Sequence, residues 1–300
     1  MKKLFIALLG VAAITFNVHA QKKSGAIQYE TQIDPAAMAA ASGFPLSDEM
    51  KARMPKSIKA NYELLFNATN ASYMPVEENE DSNGGGRMNM GRMMMRFGGG
   101  SNRDYYYSFA DQKVFGVVDL NDTTFAIPAK LTVDVSPVGG FGGGGNRQGN
   151  ENANSGVVQF LPGPPAVEII KSDETKKILN FNCNKVTIKS TRKAKILDME
   201  KDIIDETVLW YTNDLGFNFS PNPNMWTEGV VLAIENKGGG TVAKSIEFRG
   251  VSNKDVNLPK KAVVITPEQY QQKMEAMMKR MRNNNNRGGQ GGAPNRMIIN

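Results

Sequence analysis

The sequence predicts a mainly β protein: an antiparallel sheet followed by one C-terminal amphipathic helix and interrupted by glycine-rich insertions. Three observations carry that expectation. Short apolar runs with period-two alternation recur along the chain, the spacing of strands with one buried face. Turn-forming clusters such as Asn67-Ala-Thr-Asn70 and Asn236-Lys-Gly-Gly-Gly240 separate them. One stretch late in the chain keeps a helical period instead.

Taken in order, Ala26–Ile33 alternates apolar with polar and predicts a first strand. Residues 35–54 carry Pro35 and Pro45 as helix starts, with Ala, Met and Glu between, and predict two short helices or a helical loop. Ile58–Phe66 and Ala71–Val76 form a strand pair around the turn at 67–70. Asp104–Phe109, Lys113–Asp119 and Thr123–Ile127 predict an antiparallel meander. Longer strands follow at Lys177–Cys183, Lys185–Lys189, Glu206–Thr212, Gly229–Glu235 and Thr241–Phe248. In Leu209-Trp-Tyr-Thr212 both faces carry bulk, which predicts a strand covered on both sides, by a gripped helix on one of them.

The helix is expected over 266–282. Thr266 is its N-cap, Pro267 its first residue and Gln269 the return half of a capping box. Tyr270, Met274, Met277, Met278 and Met281 line one face, and Lys279, Arg280 and Arg282 crowd the end where the helix dipole favours cations. The tail 283–300 and the insertions at 77–103 and 139–156 have no core-forming pattern and are expected to be disordered. The domain itself is expected to span 21–265.

The first twenty residues read as a secretory leader: Lys2 and Lys3, an apolar stretch from Leu4 to Phe16, then cleavage after Ala20. The apolar stretch falls short of the roughly 20 residues that cross a bilayer, so no transmembrane span is expected in the mature chain. The formal charge of +6 drops by two when Lys2 and Lys3 leave, to +4. That balance suits peripheral contact with anionic envelope surfaces and does not call for nucleic acid. The one cysteine, Cys183, cannot form an internal disulfide. The one histidine, His19, lies in the leader, so the mature chain has no imidazole. Ser-His-Asp and Cys-His catalysis are thereby excluded, and zinc and copper(II) sites lose their usual ligand; a hydrolase built on paired carboxylates or a Ser-Lys pair stays open, though no spacing singles one out.

Four words then occur in a suggestive order: YELLFNATNASY from Tyr62, ETKKILNFNCNKVTIKS around Cys183, VLWYTNDLGFNFSP around Trp210, and WTEGVVLAIEN from Trp226. Together they resemble the GLPGLI family of exported proteins from Bacteroidota-type bacteria, over most of residues 26–250. The family's glycine-tyrosine before the cysteine is Asn180-Phe181 here, and its name-giving signature is Glu228-Gly-Val-Val-Leu-Ala233. The resemblance therefore reads as a divergent member or a neighbouring exported family sharing the Cys and Trp-Tyr-Thr words. It implies no catalytic set and no cofactor. It implies by analogy a curved, half-barrel-like sheet of the lipoprotein-carrier type.

Candidate chemistry is sparse. Met88, Met90, Met93, Met94 and Met95 offer thioether sulfurs, soft ligands that suit copper(I), though Arg87, Arg92 and Arg96 interleave with them. Asp81-Ser-Asn-Gly84 opens like a calcium loop but places Arg92 where the closing carboxylate belongs. Cys183 reads as a small core hydrophobe. Lys185, Lys189, Arg192, Lys193 and Lys195 read as a solvated or edge-protecting basic strand. The expected function is that of an exported, non-enzymatic binding or assembly factor, periplasmic or outer membrane-associated. It would hold a lipid-like ligand or an outer-membrane protein partner, the alternative being copper(I) handling by the methionine loop.

Overall fold

The computed structural model describes residues 24–41, 46–76, 103–120, 122–131, 133, 158–196, 199–225 and 228–288. The leader, the insertions (Arg103 apart) and residues 289–300 lie outside them, and so do the five candidate copper ligands. The chain is mainly β, as expected, and its strands join one large, open sheet.

The strands are β1 Gly25–Ile33, β2 Ile58–Phe66, β3 Asn70–Pro75, β4 Asp104–Ser108, β5 Lys113–Leu120, β6 Thr123–Ala129, β7 Val158–Phe160, β8 Ala166–Ile178, β9 Phe181–Ile196, β10 Met199–Thr212, β11 Val230–Asn236, β12 Gly239–Glu247 and β13 Val263–Val264. The helices are α1 Pro35–Ala41, α2 Asp48–Arg53, α3 Asn253–Val256 and α4 Pro267–Gly288. The sheet runs β13-β6-β5-β4-β3-β2-β1-β12-β11-β10-β9-β7, with β8 also on β9. Every pairing between strands is antiparallel except that of β13 with β6.

Why the sheet curves is visible in its core. One cluster gathers Tyr29, Leu64, Phe66, Tyr73, Tyr107, Cys183, Trp210 and Leu232 from strands far apart in the order. They meet around the loop that follows β10, whose Phe219 is completely buried. The Phe219 ring lies 5.1 Å from Tyr107, 5.4 Å from Tyr73 and 6.0 Å from Tyr29. Two buried hydroxyls fix the arrangement: Tyr29 Oη donates to the carbonyl of Val231 (3.0 Å) and Tyr107 Oη to that of Ser220 (2.9 Å). The loop closes through Gly229, whose φ of +67° and close approach to the Thr212 carbonyl admit no side chain.

Leu209, Trp210, Tyr211 and Thr212 are all buried, so β10 is covered on both faces as its composition predicts. The groups over the Trp210 ring are Lys176 and Lys185, however, and not the C-terminal helix, whose core contact lies on β6. The helix takes the far end of the same face: Val118 is opposite Phe125 and Val114 opposite Ala129, so the α4 contact at Phe125, Ile127 and Tyr270 continues the aromatic face along β5 and β6. Its capping box forms as predicted, Gln269 N to Thr266 Oγ1 at 3.2 Å and Thr266 N to Gln269 Oε1 at 3.0 Å. Its end does not, because the helix runs through Asn283 to Gly288 rather than stopping at Arg282.

A second correction concerns residues 177–183. The sequence reads as one strand there, but the chain reverses at Leu179 and Asn180, both left-handed (φ 48° and 69°). Such a two-residue turn matches the strand twist, and asparagine tolerates it while leucine is strained. Cys183 therefore belongs to β9, which runs on through the residues expected to form a short separate strand.

Candidate docking face

The longest strands build a feature that the body of the sheet does not need. β11 pairs with β10 only from Thr207 onward, whereas β9 follows β10 back to Met199. The outer halves of β9 and β10, with β7 and part of β8, therefore project as a ribbon. β7 and β8 lie end to end along β9, Phe160 opposite Ala194 and Ala166 opposite Thr191, with Leu161–Pro165 between them.

Side chains directly opposite each other share a face. On one face, Ile169 sits opposite Ile188, Val167 opposite Ser190, Phe160 opposite Ala194 and Met199 opposite Ile196. Ile188 belongs to a second core cluster with Val186, Leu209, Tyr211, Val231 and Ile234, so this face is a continuation of packed core. Yet Phe160, Val167, Ile169 and Met199 are 40%, 42%, 49% and 55% exposed. The other face is polar by register: Glu168 opposite Lys189 opposite Glu206, Lys193 opposite Asp202, Lys195 opposite Glu200. Ile204 is its exposed apolar member. The predicted basic strand is thus no edge. It lies in the middle of the ribbon, Lys189 facing acids on both flanks and Lys193 and Lys195 facing them on the β10 side.

Arg192 steadies the apolar face, its guanidinium 4.2 Å over the Phe160 ring and 3.3 Å from Asp205. At the ribbon's root Trp210 lies under two ammonium groups, Lys176 at 5.3 Å and Lys185 at 5.7 Å. Lys176 pairs with Glu235 (2.8 Å) and Lys185 with Glu174 (2.6 Å). Burial pushes the Glu235 carboxyl up, but Lys176, the Trp210 indole N–H and Lys185 outweigh it and hold the group below its usual range. The indole N–H is buried and reaches Glu235 without full hydrogen-bond geometry. This cluster seals the core where the ribbon leaves it.

One thiol and three phenols lie buried and hold their protons. Cys183 is buried, its thiol pushed up to about 11 chiefly by burial, so it is protonated at neutral pH. Burial likewise holds the Tyr29, Tyr73 and Tyr107 hydroxyls well above their ordinary range. Among the described residues no group of three or more His, Cys, Asp or Glu gathers as a metal site would require. No described helix is long and apolar enough to cross a membrane. Arg103, which ends the methionine-rich insertion, stacks 5.0 Å over Tyr270 and so places the return of that insertion beside α4.

Phe160, Val167 and Ile169 escape a reading of the sequence alone. The apolar runs Val157–Phe160 and Ala166–Ile170 are present, but Leu-Pro-Gly-Pro-Pro between them reads as loop and Glu168 interrupts the second. No family model matches the chain, and no curated protein does. Among solved structures it is similar to PNGF-II in two crystal forms, at 12% identity and TM-scores of 0.44 and 0.42. Those matches cover 83% of this chain but only 32% and 33% of PNGF-II, so the chain spans about a third of that protein's length.

Proposed function

We propose that this chain is an exported, non-enzymatic binding or assembly factor of the periplasm or outer membrane, holding an envelope protein on the apolar face of the β8–β10 ribbon. One observation supports that reading above the others: four large apolar side chains lie exposed on one face of a projecting ribbon, while the hollow of the sheet is filled by Phe219 and its neighbours. A ribbon that is apolar on one side and charged on the other presents an orientation to its partner, and clustered exposed apolar surface is where protein partners dock. Export itself stands on the leader at 1–20 and on the resemblance to the GLPGLI family.

The test is a pair of variants on opposite faces. Val167→Glu with Ile169→Glu charges the apolar face; Ile204→Lys charges the other. A photo-crosslinker at Met199 in the full chain, expressed with its leader, should give one saturable protein adduct that persists with Ile204→Lys and disappears with the glutamates. An adduct that survives the glutamate pair removes the ribbon face from the proposal. Recovery of lipid alone by solvent extraction and mass spectrometry, with no protein adduct, replaces the protein partner by a lipid-like ligand.

A further inference from the structure

The two ends of the strand order are charged differently. β9, with β7 and β8, forms one end, and cations there are paired: Lys171, Lys176, Lys185 and Arg192 lie 2.6, 2.8, 2.6 and 3.3 Å from Glu228, Glu235, Glu174 and Asp205. β13, with α4 beside it, forms the other end. There Lys254, Lys260, Lys261, Lys279 and Arg280 are all exposed, and among the described residues none of them pairs with an acid. The sequence is divided in the same way. Residues 254–288 hold eight Lys and Arg against three acids, Asp255, Glu268 and Glu275, an excess of five. From residue 21 onward the chain as a whole has an excess of four, so everything outside this segment sums to one negative charge.

Apolar surface lies among these cations. The Ala262 N–H donates to the Pro259 carbonyl (2.9 Å), so Lys260 and Lys261 occupy the centre of a tight turn. β13 follows at once in the outermost position of the sheet, with Val263 49% and Val264 57% exposed. Val263 is opposite Phe125, and the Lys273 ammonium stands 5.0 Å over the Phe125 ring, which brings a helix cation to the same strand. Tyr270 is the contact of α4 with the core, and Lys279 and Arg280 beyond it are exposed. The β5–β6 hairpin adds two exposed acids, Asp119 and Asp122, which reduce the positive excess without reversing it.

We propose that this corner rests on the surface of an anionic lipid bilayer, its cations among the headgroups and the two valines in the interface. The contact lies apart from the ribbon and does not rest on the partner held there. Edge protection alone accounts for lysines beside a short outer strand, but it calls for no exposed valine. What covers the corner must carry the opposite charge. A second copy brings the same sign. So does the stretch that returns to α4 at Arg103, which carries Arg87, Arg92 and Arg96 and no acid after Asp81. A dissolved polyanion would satisfy the cations and leave the valines in water. A bilayer surface takes both, since each Lys or Arg near anionic headgroups adds to binding and so does each apolar group buried at the acyl boundary.

Vesicle co-sedimentation tests this on the chain from residue 21 onward, without the apolar leader that would itself enter lipid. The natural sequence should bind vesicles of phosphatidylcholine mixed one to one with phosphatidylglycerol, and not vesicles of phosphatidylcholine alone. Raising salt from about 0.05 M to about 0.5 M should release it by screening. Lys260→Gln with Lys261→Gln should weaken binding by about tenfold or more. Lys56→Gln with Lys237→Gln, which removes the same charge from exposed positions elsewhere, should leave it within about twofold. Val263→Ser with Val264→Ser should weaken it by about fivefold or more, at an unchanged denaturant midpoint. Should that pair lose the fold, Val264→Ser alone decides, the more exposed of the two. Failure to bind the mixed vesicles, equal binding to the uncharged ones, or equal losses from the two lysine pairs would each overturn the proposal. Full binding by the folded serine variant would overturn it too, and would make the corner a site for dissolved polyanions.

Discussion

Phe219 and Phe160 are the same side chain put to opposite uses, and the two regions that hold them differ in the same way. Phe219 is completely buried, touched by three tyrosines, and its loop is tied down at both ends by backbone bonds: Phe219 N to the Gly229 carbonyl (2.9 Å) and Val231 N to the Phe219 carbonyl (2.8 Å). Phe160 is 40% exposed on a three-residue strand, held by an arginine over its ring. The body is a packed core centred on aromatic rings. The ribbon keeps apolar surface in water. Since burying a large apolar side chain is worth about 1.5–3 kcal/mol, exposed ones are an unused source of binding free energy and the body holds little more to gain.

The comparison breaks most sharply at Phe219. Phe219→Ala removes the ring about which the sheet curves and leaves a void between Tyr29, Tyr73 and Tyr107. The expected loss is about 3–5 kcal/mol, read as a fall in the denaturant midpoint. A loss under about 1 kcal/mol would mean that the loop is an accessory to the core and not its centre.

Alkaline pH gives a smaller and more selective effect. Burial, with a lesser push from Asp214, raises the Cys183 thiol from 9.0 to about 11. The folded state thus prefers the neutral thiol. Its contribution is whole below the unfolded pKa and is lost as pH rises from about 9 through about 11. Tyr29, Tyr73 and Tyr107 are displaced in the same direction, so the natural chain alone does not isolate the thiol. The difference does: Cys183→Ala should be modestly less stable at neutral pH and should lose less stability than the natural chain across that window. Parallel stability curves for the two would place Cys183 outside the core.

What the sequence made legible were the features decided by near neighbours. The capping box of α4 needs only Thr266 and Gln269. The strands β2 and β4 declare themselves by alternation, because each has one wet and one dry side. The ribbon obeys a different rule. β8 is exposed on nearly every residue, so its sequence carries no alternation to detect, and its strand state comes from β9 alone. The turn at Leu179 and Asn180 hides because a leucine occupies a conformation that sequence patterns assign to glycine or asparagine. The filling of the hollow was invisible for another reason: Tyr107 and Phe219 meet across more than a hundred residues, and no local pattern records that encounter. The docking face shares both faults, being built by register between strands of which one was unseen.

The smallest expected effect probes the ribbon where it is thinnest. Among the described side chains Arg192 ties β7 to the rest, through its stack on Phe160 and its ion pair with Asp205, and Leu161 N closes the pairing on the Lys193 carbonyl (2.9 Å). A partly exposed ion pair contributes about 0–1 kcal/mol and a surface cation–π contact about 0.5–1 kcal/mol. Arg192→Ala should therefore move the global midpoint by about 1 kcal/mol or less, while the Leu161 amide exchanges with solvent distinctly faster. Loss confined to β7 is what a ribbon outside the cooperative core requires, since such segments open without the rest. A fall in global stability approaching that of Phe219→Ala would instead make the ribbon part of the same folding unit. The contrast between a core that holds the fold and an arm free to meet a partner would then disappear.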